Sequence, residues 1–236
     1  WDMGWMNDTL DYFRTAPEYR TRDYHKLTFS FVYYYDERYL LPLSHDEVVH
    51  GKATILQKMY GDYEQKFPQA RAFYMYMYAH PGKKLNFMGN ELGHFREWDE
   101  KRELDWNLLD YPAHQDFHRF MKDLNRFYRE HSALSEMDYD TKGFEWLECH
   151  AEEKCVYVFE RRSEKERIIA VFNFSDEEQE IEIRSKDIKE LKKVFSSEYK
   201  GYGGAEEKQS KAVKIKKDSC SFRLQPFSAE YYIIGQ

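Results

Sequence analysis

Two kinds of patterning divide this sequence, and together they predict an α/β part followed by an all-β part. Up to about residue 137, apolar runs that end in ionisable clusters alternate with helical stripes. From Asp138 onward the chain breaks into short alternating or β-branched runs separated by Glu/Lys/Ser-rich turns. A length of 236 residues suits one large domain or two ordinary ones. The change of character sets the expected boundary, with units at 1–137 and 138–236.

Residues 5–15 carry Trp5, Met6, Thr9, Leu10, Tyr12 and Phe13 close to a helical stripe, ended by Pro17. The run 27–35, Leu-Thr-Phe-Ser-Phe-Val-Tyr-Tyr-Tyr, is rich in aromatic and β-branched residues and reads as a strand on content alone. The apolar run Tyr39-Leu40-Leu41-Pro42-Leu43 reads as a short buried strand. A short helix is expected around Ile55–Tyr60, broken by Gly61. Pro68 near a first turn and Pro81-Gly82 after a last one predict a helix of about a dozen residues over 68–79. It is apolar nearly all round, which predicts burial on most sides. Lys83–Met88 follows as a strand, and the charged stretch 98–106 as an irregular loop. From Pro112, the residues Phe117, Phe120, Met121, Leu124, Phe127 and Tyr128 make the clearest stripe in the chain, with Lys122, Asp123 and Arg126 opposite.

In the second part, strands are expected at 144–150, 155–161, 167–174, 178–184, 220–225 and 229–234. Their short, regular spacing points to an antiparallel β-sandwich. Residues 196–217, with Gly201, Gly203 and Gly204, read as a polar loop or disordered tip.

Composition excludes several functions. A net charge of −7 offers no basic field for phosphate backbones, so nucleic acid is not expected as a partner. No run of about eighteen apolar residues and no secretory leader is present, so no membrane partner is expected either. Cys149, Cys155 and Cys220 form no CxxC pair and no metal-ligand spacing. An odd count argues against a disulfide framework and for a cytoplasmic setting. Aromatics reach 18% of residues and serve either a core of large side chains or the stacking of flat rings on sugar faces. His114 and His118 stand four apart on one helix, a spacing that can hold metal, yet with no further ligand they read as surface residues and no metal is expected.

The densest chemistry lies in Ser44-His45-Asp46-Glu47-Val48-Val49-His50-Gly51-Lys52, directly after the 39–43 run. A strand that stops abruptly in His-Asp-Glu delivers ionisable groups at its C-terminal end, where α/β barrels place their chemistry. A solvated charged loop is the alternative. This nonapeptide resembles the fourth signature region of 1,4-α-glucan (glycogen) branching enzymes, in the α-amylase superfamily. Two further stretches agree in order. Gly89-Asn90-Glu91-Leu92-Gly93-His94-Phe95-Arg96-Glu97-Trp98 resembles the loop after the eighth barrel strand, and Trp1–Leu10 the segment at the end of the sixth.

The resemblance implies the C-terminal part of a (β/α)8 TIM barrel, followed by the family's β domain, and makes a helix of the ambiguous run 27–35. It implies a retaining double displacement on an α-1,4 glucan, with transfer to a 6-hydroxyl and no cofactor. That chemistry needs a carboxylate nucleophile and a carboxylic acid roughly 5–5.5 Å apart. In the superfamily these follow the fourth and fifth strands, and neither has a match here. The third carboxylate, after the seventh strand, matches Asp46, whose implied role is to stabilise the transition state at the −1 sugar. His45 matches the neighbouring histidine that bonds the same sugar's hydroxyls. Glu47, His50, Lys52, Asn90, Glu91 and Trp98 either touch glucan or orient the loops that do.

The chain therefore reads as a fragment that opens mid-domain, inactive alone, and either self-associating or needing a companion with the missing part. An α-glucan hydrolase of amylase or debranching type, or a non-catalytic glucan-binding module, are the other readings.

Overall fold

A computed structural model describes residues 1–208, 212–215 and 218–235. The first part contains five α-helices, α1 (Met3–Arg14), α2 (Arg20–Asp23), α3 (Ile55–Lys58), α4 (Tyr63–Ala79) and α5 (Pro112–Glu130), and two strands, β1 (Leu40–Leu43) and β2 (Lys83–Asn86). The strands pair in parallel, with Leu43 opposite Asn86, and α3 and α4 form the crossover between them. Parallel pairing places both C-terminal ends on one edge, so the segments after β1 and β2 meet. Asp2 caps α1 by accepting the Trp5 amide at 2.8 Å.

Two expectations are corrected here. Residues 27–35 do not form the strand that content suggests; they are helical, as the resemblance implies, in short 3-10 pieces and not one continuous helix. They run through successive 3-10 turns at Tyr24–Leu27, Phe29–Val32 and Tyr34–Asp36. Their aromatic rings pack individually: Phe31 stacks on Phe144 at 4.2 Å and Tyr34 is fully buried. Of the five aromatic residues in the run only Tyr34 is buried and Phe29 is exposed, so aromatic content marked local ring packing and not a paired strand. The helix expected at Pro68 starts five residues earlier, at Tyr63. Asp62 and Gln65 form a reciprocal capping box there, which leaves Pro68 inside the helix. The box supplies the nucleus that a proline at N1 would otherwise mark. The all-round apolar character of this helix does match burial, because the residues from Gln69 to Ala79 are all buried.

The second part carries β3 (Phe144–Ala151), β4 (Val156–Arg162), β5 (Arg167–Asn173), β6 (Gln179–Arg184), β7 (Glu190–Ser196), β8 (Ala212–Lys214), β9 (Ser219–Leu224) and β10 (Ser228–Ile234). Six strands form one sheet in the order β3-β4-β5-β10-β7-β8, and β6 pairs with β9 in a second, all antiparallel. Val156, Val158, Ile169 and Val171 of the larger sheet meet Ile181, Ile183, Phe222 and Leu224 of the smaller one in a shared apolar layer. That is the expected sandwich. The described residues of the span 196–217 carry more regular structure than its polarity suggested. Ser196 ends β7, residues Lys200–Tyr202 form a 3-10 turn, and Ala212–Lys214 form β8; residues 209–211 and 216–217 lie outside the described residues.

The two parts share one core. Tyr12 and Phe13 of α1 and Tyr76 of α4 pack with Tyr157 and Phe172 of the large sheet and with Phe174 just after β5. The α5 stripe was expected to cover a barrel wall. It faces the large sheet, where Phe120 and Phe127 meet Phe195, and Phe127 meets Tyr231. Two fully buried arginines pin the seam. Arg20 donates to the carbonyls of Phe13, Thr15 and Phe174, and Arg161 to those of Ala79 and Gly143 and to Asp138 at 2.8 Å. Five donors in a fixed planar fork let one guanidinium serve three acceptors, which a lysine cannot match geometrically.

Candidate active site

At the end of β1 the chain passes through Ser44 into a one-turn 3-10 helix, His45–Glu47. This turn leaves its first two residues outside and turns the third inward. His45 and Asp46 are exposed, whereas Glu47 is buried. His45 Nε2 lies 3.3 Å from Asp46 Oδ1, so the imidazole and carboxylate present a joined pair to solvent. Beneath His45, Phe87 and Trp98 form a ring platform, with centroids 5.8 and 6.1 Å from the imidazole and 5.2 Å from each other. The Trp98 amide donates to the Val48 carbonyl at 2.9 Å. The loop after β2 is thereby tied to the loop after β1.

Residues 48–53 turn back sharply and use the left-handed region three times, at His50 (φ 58°), Gly51 (φ 79°) and Ala53 (φ 66°). Non-glycine residues rarely hold this conformation unless other contacts impose it. Glu97 supplies them. Its carboxylate accepts the Gly51 amide at 3.0 Å and the Ala53 amide at 2.7 Å, and these bonds hold its pKa below the ordinary glutamate range. From below, the Lys58 ammonium donates to the carbonyls of Glu47 and of Ala53, the latter at 2.8 Å. Burial lowers the Lys58 pKa to about 8. Thr54 caps α3 through the Gln57 amide and donates its hydroxyl to the His94 carbonyl. Arg96 grips Asp105 in two-point fashion, Nη2 to Oδ1 at 2.8 Å and Nε to Oδ2 at 3.1 Å, which fixes the far wall and depresses the Asp105 pKa.

These loops enclose an open groove of about 490 Å³ lined by His45, Asp46, His50, Trp98, Arg102 and their neighbours. Of the residues expected from sequence, the structure brings His45, Asp46, His50 and Trp98 to this groove. Glu47 points inward and accepts Lys52 Nζ at 3.1 Å, and neither lines the groove. Asn90 is buried and joins the strand ends, donating to Asn86 at 2.9 Å and reaching the Leu43 carbonyl at 3.5 Å. Glu91 folds back to accept the Gly89 amide at 2.9 Å. His114 is not on the surface. It is buried against Phe67 and bonds the Leu92 carbonyl at 2.8 Å, and burial lowers its pKa. The helical stripe on which it lies, three residues before Phe117, was the available signal. Glu97 and Lys58 escaped the sequence reading, because an acid that binds backbone amides and a buried lysine leave no spacing pattern.

A family model described as the alpha amylase C-terminal all-beta domain matches residues 146–234. The 1,4-alpha-glucan branching enzyme GlgB of Aquifex aeolicus is 54% identical over 177 residues, 74% of this chain and 28% of that protein. The enzyme of the same name from Halothermothrix orenii is 44% identical over 236 residues, 99% of this chain and 37% of that protein. The chain belongs with the 1,4-α-glucan branching enzymes of the α-amylase superfamily. It spans about a third of the length of the branching enzymes it matches. In fold it is similar to the α-amylase of Geobacillus thermoleovorans solved with acarbose (TM-score 0.65, 14% identity, covering 100% of this chain and 47% of that one). It is also similar to AmyP solved with maltose (TM-score 0.68, 11% identity, covering 100% of this chain and 49% of that one). The recognition drawn from the nonapeptide thus agrees with the relatives, whereas the structural neighbours bear on fold alone.

Proposed function

We propose that the His45–Asp46 groove is the part of a glucan-branching centre that grips the sugar at the cleaved bond. The observation that carries this is the turn at the end of β1. It exposes one imidazole and one carboxylate side by side above an aromatic platform and buries the next acid, Glu47. Asp46 would accept hydroxyl hydrogen bonds that strengthen as positive charge develops on the ring, and His45 would bond the same sugar. The Phe87–Trp98 platform keeps the imidazole in place.

In this reading β1 and β2, with α3, α4 and α5, correspond to the seventh and eighth strand–helix units of a (β/α)8 barrel over residues 1–137, followed by the β domain at 138–236. The neighbouring acid Glu97 is engaged by two backbone amides, which leaves it poorly suited as a nucleophile. The 236 residues hold one of the three carboxylates that the retaining mechanism uses, so the chain alone is expected to be inactive. The substrate is an α-1,4 glucan and the setting cytoplasmic. Among the described residues no helix is long and apolar enough to cross a membrane.

The test pairs this chain with a polypeptide supplying the nucleophile and acid, then measures new α-1,6 linkages on amylose. Branches should form with little reducing sugar and be lost in Asp46→Asn. Abundant reducing sugar instead would identify a hydrolase. Branch formation by the chain alone, or unimpaired branching in Asp46→Asn, would contradict the role given to Asp46. Because β1 pairs with only one strand among the described residues, the isolated chain should self-associate or take up such a companion. A concentration-independent monomer in sedimentation velocity would count against that.

A further inference from the structure

A second groove of about 520 Å³ lies where α4 and α5 meet the loops 198–205 and 226–227, and it shares no lining residue with the Asp46 groove. Arg71, nine-tenths buried, stands at its floor. Its Nε donates to the Ser197 carbonyl at 2.7 Å and its Nη2 to Glu198 at 3.0 Å, whereas Nη1 has no partner among the described residues. Across from it, Asp116 takes Arg119 on Oδ1 at 2.9 Å, and Oδ2 has no partner among the described residues. The two unused atoms converge on Gly203. A methyl group placed on that glycine would sit 3.6 Å from Asp116 Oδ2 and 3.9 Å from Arg71 Nη1, and Gly203 holds φ 83°. The bare backbone therefore keeps open a slot with a donor on one side and an acceptor on the other.

The groove walls are aromatic. Tyr63 is exposed there and lies parallel to Phe95 at 5.6 Å. Phe227 is held at φ 50°, although a glycine would take that turn position without strain. The Phe227 ring covers the buried Arg20 guanidinium at 5.5 Å and also lines this groove, so the turn brings one aromatic side chain to both. Three carboxylates, Glu64, Asp116 and Glu198, line the groove against one unused guanidinium nitrogen, so an anion is disfavoured. A neutral polyhydroxylated chain fits: ring faces on Tyr63 and Phe227, one hydroxyl donating to Asp116 and a neighbouring one accepting from Arg71.

We propose that this seam groove is a second oligosaccharide site, separate from the Asp46 groove, which binds an α-glucan segment without cleaving it. The choice of α-glucan as the saccharide rests on the function proposed above; the site itself rests on the Arg71–Asp116 slot and the aromatic walls. The experiment is a titration of the full chain with maltoheptaose, following backbone amides by NMR. Gly203 and Gly204 report this groove and Gly51 reports the other. Both sets should shift. Asp116→Ala and Phe227→Gly, each shown folded by circular dichroism, should weaken the Gly203 response at least tenfold and leave Gly51 unchanged, while Asp46→Ala should do the reverse. If Gly51 responds and Gly203 stays silent, the seam groove holds only water and this proposal fails while the first reading stands. If Gly203 responds and Gly51 stays silent, the first reading fails and this one holds. Inorganic phosphate that shifts Gly203 and competes with maltoheptaose would mark an anion site and overturn the proposal.

Discussion

His80 should make the fold acid-sensitive in a pH range where carboxylates play little part. It ends α4 fully buried, with Nδ1 bonded to the Pro81 carbonyl at 2.7 Å and Nε2 to the Ser30 hydroxyl at 3.1 Å. The first bond needs Nδ1 to carry the proton and the second lets Nε2 accept, so the ring is neutral and fully used. Phe31 lies against it at 4.6 Å, and burial lowers its pKa from 6.5 to about 3. The unfolded chain therefore takes a proton near pH 6.5 that the folded chain refuses until about pH 3. Stability is intact above pH 6.5 and declines as pH falls through this window, by about 1.36 kcal/mol per unit. At pH 5 the loss from His80 alone is roughly 2 kcal/mol. His94 and His114, also lowered by burial, act in the same direction, and Glu230, raised by burial, acts in the opposite one. Comparison with His80→Gln cancels these contributions. Urea unfolding at pH 7 and pH 5 should show the wild-type chain losing about 2 kcal/mol more than the variant between the two conditions. An equal loss in both proteins would refute the assignment of a neutral, buried His80.

Replacing Glu97 with alanine should leave the fold intact and free the loop after β1. Hydrogen exchange at the Gly51 and Ala53 amides should then rise toward the rate of an open loop, while the Phe87 amide, bonded to the Leu43 carbonyl, keeps its protection. Arg161→Met should destabilise the chain by about 3 kcal/mol or more, because it leaves buried Asp138 with a reduced set of cationic partners and removes donors from two carbonyls. A loss below about 1 kcal/mol in chemical denaturation would show that the seam does not depend on this guanidinium.

How much of this was legible depended on whether a residue's job leaves a period in the sequence. The stripe from Phe117 to Phe127 repeats at helical spacing because one face of α5 is buried, and β4 and β5 show as apolar runs because both of their faces are covered. β7 was missed because Lys192 and Lys193 interrupt its alternation. Lys193 is acceptable there only because Glu206 and Glu230 reach it at 2.6 and 2.8 Å, partners supplied by distant segments. β10 adds a register shift between Tyr231 and Tyr232 where it pairs with β7, which no period captures. In the site, His45 and Asp46 could be found because a rare nonapeptide carries them. The supports could not, since Glu97 and Lys58 act on backbone groups and the identities of those residues are free to vary. Glu47 shows the converse limit: it shares the motif with Asp46, yet the 3-10 turn buries it.

The most direct measurement of the central claim is a crystal structure of the chain soaked with a maltooligosaccharide. A glucose ring should lie in the groove above Trp98, with its hydroxyls within hydrogen-bond distance of the Asp46 carboxylate and the His45 imidazole. A chain with every sugar bound elsewhere and that pair untouched would contradict it.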